Sequence, residues 1–255
     1  MSVEMDIDGT VAGPAPRLPR VVLFAAMPRE LAILRRACAG VEHVTIARAG
    51  IGHRRAAKAV RRYFRACGEA KSTIQAALVL GVAGATSPGL AVGDVVVCDR
   101  AMAASAPAAA AIAAPLAAAS ARLARLVPKS TVRMGSVATA DRFVARRGEK
   151  LDLGAACGCL AVDMETHAIA LECQKLAVPW AAIRVISDDT RRDVVLDPRL
   201  LALMGRRFRA GEALEAVTLR QLVPALRLAW NLRVALRVLE RVARVIASET
   251  ELLAR

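Results

Sequence analysis

Three carboxylates in this 255-residue chain could do chemistry, because each stands where an apolar run gives way to a polar one. Glu30 follows "RVVLFAA" (20–26). Glu165 interrupts "LAVDMETHAIA" (160–170). Asp188 closes "AIRVIS". Carboxylates are rarely placed in apolar surroundings without a partner, since desolvating the charge is costly. Singly, each acid reads as a helix cap or first-turn residue, where unpaired backbone N–H groups and the helix dipole favour negative charge. Together, each at the end of a strand-like run, they point to a site at the carboxyl edge of an open α/β sheet. Buried carboxyls there suit general acid–base work, because burial raises a carboxyl toward neutral pH.

The elements that must position them follow from hydrophobic periodicity. "RVVLFAA" (20–26) predicts a first buried strand, and "PRELAILRRACA" (28–39) predicts a helix opened by proline. "VTIARAGIGHRRAAKAVRRYFRAC" repeats strand, glycine turn and helix. Residues 76–80 and 93–98 predict two more strands, punctuated by Gly81, Gly84, Gly89 and Gly93. "VRMGSVATAD" and "WAAIRVISDD" predict later strands, with a helix at 163–176 between them. Strands alternating with helices, and strands that are apolar throughout, imply an α/β fold. The expectation is one three-layer αβα domain around a central mixed, mostly buried sheet.

Outside that domain, residues 1–19 are acidic and then rich in Pro and Gly, which predicts a disordered leader. The catalytic domain is expected over 20–215 and a basic amphipathic helical tail over 216–255. In "LRQLVPALRLAWNLRVALRVLERVARVI" (219–246), Arg220, Arg227, Arg233, Arg237, Arg241 and Arg244 fall in an arc of roughly 140° on a helical projection. Two uses compete: packing of the apolar face on the domain, or an anionic membrane surface bound through 219–246.

Composition narrows the classes. Hydrophobic residues make up 56% of the chain and aromatics 3%, so the core must be Ala, Val and Leu. A net charge of +14 invites a polyanionic partner, but the cations are mostly Arg in an Ala-rich chain, a pattern codon bias also produces. No nucleic acid partner is expected, because aromatics for base stacking are scarce and the basic stripe sits on one terminal helix. The six cysteines show no framework spacing, which suggests a reduced, cytoplasmic setting. Cys157-Gly-Cys159 lacks a second ligand pair, so no metal and no cofactor are expected. The apolar stretch 101–120 is mostly Ala and is broken by Pro107 and Pro115, so it reads as an insertion and not a membrane span.

Six stretches in order carry a resemblance: "AAMPREL" (25–31), "AGIGHRRAA" (49–57), "GVAGATSPGLAVGDVVV" (81–97), "TADRFV" (139–144), "LAVDMETHAIA" (160–170) and "IRVISDD" (183–189). The sequence resembles the nucleoside phosphorylase superfamily, and within it the 5′-methylthioadenosine/S-adenosylhomocysteine nucleosidase branch, over about residues 20 to 200. The resemblance implies an adenosine-type substrate and assigns roles to matching residues. Asp188 is the acid that protonates the leaving purine at N7, and Ser187 orients it. Glu165 holds the ribose 2′ and 3′ hydroxyls, and Met164 packs against the sugar. Glu30 positions and activates water. Phe143 stacks on adenine, and the Val144 backbone reads the base edge. A homodimer is implied by the same resemblance.

The roles make chemical sense. Breaking an N-glycosidic bond passes through an oxocarbenium-like sugar, and the base leaves poorly unless protonated. A carboxylate on the far face polarises water and favours the cationic sugar. A third anchors the diol, so that remote binding serves alignment.

Departures from the family pattern refine the expectation. Val82 stands where relatives often carry a Ser that contacts water or phosphate, and "VLGVAGA" has no arginine. An anion site built from apolar side chains is poor, so water is the expected nucleophile; Arg29 and Arg48 keep a phosphate-dependent phosphorylase as the alternative. Asp163 replaces a usual Glu, a change expected to be structural. In the 101–120 insertion, Ala and Pro replace aromatics expected to close over the 5′ group. With the Arg-rich tail, this suggests a large apolar 5′ substituent delivered from a membrane, as in the hopanoid-associated nucleosidases that act on adenosylhopane. Methylthioadenosine or adenosylhomocysteine cleavage is the alternative substrate reading. A membrane-bound scaffold with a dead site is disfavoured by the intact Glu30, Glu165 and Asp188.

Overall fold

The computed structural model describes residues 20–68, 74–106, 111–127, 131–194 and 219–249. The 1–19 leader and the boundary expected at 215/216 lie outside them. Eight strands form one mixed sheet: β1 (Arg20–Ala25), β2 (Val44–Arg48), β3 (Ile74–Ala85), β4 (Val95–Ala103), β5 (Ile112–Ala113), β6 (Val132–Thr139), β7 (Cys159–Asp163) and β8 (Trp180–Asp188). β1 lies between β2 and β3, parallel to both. β8 pairs parallel with β3 and antiparallel with β4, while β7 joins the far end of β3 to β6. The sheet therefore curls into a closed path, β3–β8–β4–β6–β7–β3, rather than lying open.

Among the described residues six helices cover it: α1 (Pro28–Ala37), α2 (His53–Cys67), α3 (Ala117–Arg125), α4 (Arg147–Cys157), α5 (Thr166–Lys175) and α6 (Leu219–Ser248). α6 lies on β8 and β3 and packs against α1 and α3; α2 packs on α5, which covers β4, β6 and β8. Every residue of β8 is buried, as a strand covered on both faces requires. The core is Val, Leu, Ile and Ala, as composition predicts. Its one aromatic cluster joins Phe24 of β1 to Tyr63 and Phe64 of α2, with edge-on ring pairs at 5.7 and 5.3 Å.

Three sequence expectations need correction. The strand placed at 76–80 continues to Ala85, so Gly81 and Gly84 lie inside β3 and do not form turns. The reason is close approach. A Cβ on Gly81 would lie 2.5 Å from Arg184 Nη1 and 2.7 Å from Glu30 Oε1, and one on Gly84 would lie 2.8 Å from Asp188 Oδ2. These glycines make room for charged side chains. The helix placed at 163–176 begins at Thr166; Asp163 instead ends β7, which with α4 goes unforeseen. Finally, the described part of 101–120 is not a loop over a cavity: it ends β4, forms β5 against β4, and starts α3.

The terminal helix packs on the domain along one stripe and leaves another bare. Ala235, Val238, Leu239, Val242, Ala243 and Ile246 are buried. Arg36 of α1 clamps Glu240 at 2.8 Å, and Arg244 reaches the same carboxylate at 2.7 Å. Val223, Leu226 and Trp230 form a separate stripe at helical spacing, each more than 60% exposed. Arg227, Arg233, Arg237 and Arg241 are exposed with them. Among the described residues no helix is long and apolar enough to cross a membrane.

Candidate active site

A cavity of about 410 Å³ opens at the carboxyl ends of β1, β3 and β8. Glu30, Glu165 and Asp188 all line it, together with Met164, Phe143 and Ser187. The three acids come from distant parts of the chain and are nearly inaccessible to solvent. Val144 is the predicted site residue that does not line the cavity. It sits behind the wall, its side chain packed with Ala140 and Val162.

Glu30 is placed by the start of α1. Pro28 opens that helix, and the side chain turns back to accept N–H bonds from Met27 at 2.8 Å and Ala26 at 3.1 Å. Its other oxygen accepts the Val82 amide from β3 at 2.9 Å. A carboxylate offers about four lone-pair sites. Three are used, which leaves one to face the cavity. Burial lifts this carboxyl above its ordinary value, against the opposing pull of the Met27 amide, Arg184 and the Val82 and Ala26 amides.

Glu165 is the N-cap residue of α5, and its Oε1 accepts the Gly52 N–H at 2.8 Å. Gly52 caps α2 at φ +94, a conformation that glycine adopts without strain. Burial pushes the Glu165 carboxyl up to about 8, helped by Asp163 and Glu30 and opposed by Arg184 and the Gly52 amide. The sign for stability follows. A carboxyl of ordinary value 4.5 in the unfolded chain and about 8 in the fold contributes stability that is complete below pH 4.5 and lost as pH rises toward 8. Glu165→Gln removes that dependence. Relative to the parent protein, the variant should gain on the order of 3 kcal/mol between pH 5 and pH 8 in chemical denaturation.

Asp188 ends β8 with both carboxyl oxygens engaged. Ser187 Oγ donates to Oδ1 at 2.7 Å, and Lys150 Nζ donates to Oδ2. Lys150 is itself fully buried. It projects from α4, the helix that periodicity fails to reveal. Its sequence "RGEKLDLGAAC" carries no strong apolar stripe.

Sequence reasoning also gives no role to Arg184, although a cation inside "WAAIRVIS" is the visible signal. Arg184 is buried and pairs with Asp163 at 2.6 Å; its Nε and Nη2 also donate to Thr166 Oγ1 at 3.1 and 2.8 Å. Burial alone would lower its guanidinium, but Asp163, Glu165 and Glu30 together raise it. Asp163 in turn accepts Thr139 Oγ1 at 2.7 Å and the backbone N–H groups of Glu165 and Thr166. It is the hub that fixes the start of α5, in keeping with the structural role expected for it. Glu30 and Glu165 thus face a cation, and the site can hold a polar, cationic or water-bearing reaction centre between them.

The remaining walls bear on substrate and nucleophile. Arg29 and Arg48 are exposed and do not line the cavity. Arg142 is the basic side chain at its edge, and it pairs with Glu149. The apolar part of its lining includes Met27, Ile51 and Val82, and Leu228 and Leu232 of α6. No described residue of 101–120 reaches it. The wide opening attributed to that insertion is therefore replaced by a wall from the terminal helix.

The fold matches solved structures at low identity. The chain is similar to 5′-methylthioadenosine/S-adenosylhomocysteine nucleosidase from Neisseria meningitidis in complex with methylthio-immucillin-A. The TM-score is 0.68 and identity 22%, covering 91% of this chain and 100% of that one. The Helicobacter pylori nucleosidase of the same name, bound to butyl-thio-DADMe-Immucillin-A, gives 0.64 and 18%, covering 93% and 98%. Futalosine hydrolase of Helicobacter pylori gives 0.64 and 18%, covering 88% and 97%. No curated protein matches the sequence. Residues 33–201, well over half of the chain, match the Phosphorylase superfamily. With the curled mixed sheet and the acids gathered at its carboxyl edge, that match shows that this chain belongs to the phosphorylase superfamily.

Proposed function

We propose that the protein is a purine-nucleoside N-glycosidase that hydrolyses a 5′-modified adenosine and releases adenine. The observation that carries this reading is the convergence of Glu30, Glu165 and Asp188 on one cavity. Asp188 protonates the base at N7. Glu165 takes the ribose diol, and Met164 packs beside the sugar. Phe143 stacks on adenine; Val144, which does not line the cavity, takes no part in this reading. Glu30 uses its one unfilled lone-pair site to orient water against C1′. Water is favoured over phosphate because the wall nearest Glu30 is Val82, and the one arginine at the rim is held by Glu149.

The 5′ group is large and apolar, and adenosylhopane is our candidate. The support is the apolar wall of Leu228 and Leu232, on the helix whose outer stripe exposes Val223, Leu226 and Trp230 among arginines. That stripe has the composition of a peripheral membrane anchor, with an aromatic and aliphatic wedge and cations for anionic headgroups. A substrate drawn from the bilayer would then meet the cavity along the same helix.

Product analysis tests the reaction. Adenosines bearing methylthio, homocysteinyl and long alkyl 5′ groups are incubated with and without phosphate. Free adenine with a free pentose in both conditions, and a kcat/KM that rises with alkyl length, is the expected result. Pentose 1-phosphate formed only with phosphate would establish phosphorolysis, and a preference for methylthio would establish the smaller substrate. For the membrane, Trp230 emission should shift blue on phosphatidylglycerol vesicles but not on phosphatidylcholine, and Leu226→Ser with Trp230→Ser should abolish co-sedimentation.

A further inference from the structure

The mechanism gives no part to the buried ammonium beside its acid. Lys150 is fully buried, its ammonium meets Asp188 Oδ2, and a second N–H points to the Asp189 carbonyl at 3.3 Å. An isolated ammonium is not kept in such a place without a partner, and its carboxylate among the described residues is Asp188. That ammonium and the acid's own oxygen share one hydrogen bond, so a proton given up at Asp188 Oδ2 can be made good from Lys150 Nζ across it.

We propose that Lys150 is a positioning residue of Asp188 whose ammonium holds the proton that Asp188 passes to the leaving base. The inference rests on the glycosidase reading above. As the C1′–N9 bond breaks, its electron pair passes into the purine. N7 takes the proton from Asp188 Oδ2, which takes one from Lys150 Nζ. Water adds to C1′ and gives its proton to Glu30. The protein then holds a neutral Lys150 and a protonated Glu30, and one proton returned from Glu30's side to solvent and one taken up at Lys150 restore the start. Asp188 also lines a second cavity of about 560 Å³ between α6 and residues 189–194, which gives this side of the acid its own route to solvent.

The other charged groups around the pair are Arg191, Arg192 and Arg227 across the second cavity, and acids that have partners of their own. On α4, Glu149 is held by Arg142, and the Arg147 amide donates to Asp193. Past β8, Asp189 lies 3.6 Å from Arg191. On β7, the Cys159 thiol is raised by burial, and Asp163 is paired with Arg184. β3 presents Gly84, which has no titrating group. Each of these acids has a partner other than Lys150.

A carboxyl with a second base beside it keeps its last proton to higher pH than the same carboxyl alone. In Lys150→Met the alkaline limb of kcat therefore moves to lower pH. Measured at saturating substrate, where Glu165 already holds the sugar, kcat should fall about 100-fold at pH 8.5 and less than about 5-fold at pH 5.5. Lys150→Gln, which keeps a donor but no titrating proton, should behave alike. An equal loss at both pH values, or no loss, overturns the proposal, because a merely structural contact has no reason to fail only in base. Should both variants fail to fold, the unaltered protein decides. Its alkaline limb must lie above about 8, the value of the Glu165 carboxyl, and a limb at or below that value overturns the assignment. Asp188→Asn separates the two levels. Adenine release that survives in Asp188→Asn sinks the glycosidase reading. Release lost there but pH-independent in Lys150→Met sinks only the role of Lys150.

Discussion

On the glycosidase reading proposed above, replacing Asp188 with Asn should lower adenine release by about 10²–10⁴-fold, the range in which a positioned general acid contributes. The change is nearly isosteric. The amide oxygen can still accept from Ser187 Oγ or Lys150 Nζ, the two groups that now bind the carboxylate. What is lost is the oxygen that can carry a proton to N7. The effect should fall on kcat far more than on KM, because the base is protonated only as it leaves. Circular dichroism should show an intact fold. The thermal midpoint should drop, since a buried Lys150 then faces a neutral side chain and one partner of a buried pair is costly to remove. The kinetic comparison belongs well below that midpoint. A variant that releases adenine at the parental rate would remove Asp188 from the chemistry.

Arg184→Met carries the largest expected effect on stability, a loss of about 3–5 kcal/mol in chemical denaturation at pH 7. The guanidinium is buried, pairs with Asp163 and faces Glu30 and Glu165. Without it, three buried carboxyls share one site with no cation, and each is more costly to ionise. The loss should therefore be larger at pH 8 than at pH 5, where protonation relieves the repulsion. The arithmetic matches that of Glu165. A carboxyl raised further in the fold contributes stability that vanishes as pH rises. Adenine release should fall as well, because Thr166, the first residue of α5, takes two of its hydrogen bonds from Arg184. A variant as stable as the parent at pH 8 would mean that the cation does not balance these acids.

How much of this was readable in the sequence depends on whether position along the chain predicts position in space. The acids were readable, because Glu30, Glu165 and Asp188 each break an apolar run at a strand's end, and the structure brings all three to one cavity. The buried cations were not. Lys150 lies on a helix with a weak apolar stripe, and Arg184 looks like one arginine among many in an arginine-rich chain. Their burial comes from tertiary pairing with Asp188 and Asp163, which no local pattern encodes. Gly81 and Gly84 mislead for a related reason. Glycine reads as a turn, yet here it admits Arg184, Glu30 and Asp188 against an unbroken strand. The small residues of the 101–120 insertion suggest a wide opening at the 5′ end, but pairing with β4 draws its described part elsewhere, and Leu228 and Leu232 line the cavity instead. Of the two uses predicted for the terminal helix, packing on the domain is met by one stripe, while another stripe stays exposed.

The most direct measurement is a crystal structure of the protein with a 5′-alkylthio adenosine analogue whose C1′ linkage to the base cannot be cleaved. Glu165 should bind both ribose hydroxyls, and Asp188 should lie about 3 Å from N7. Glu30 should face C1′ from the opposite side of the ring through a water, with the alkyl chain running toward Leu228 and Leu232. An analogue seated elsewhere, or one whose sugar and base touch none of the three acids, would contradict the account.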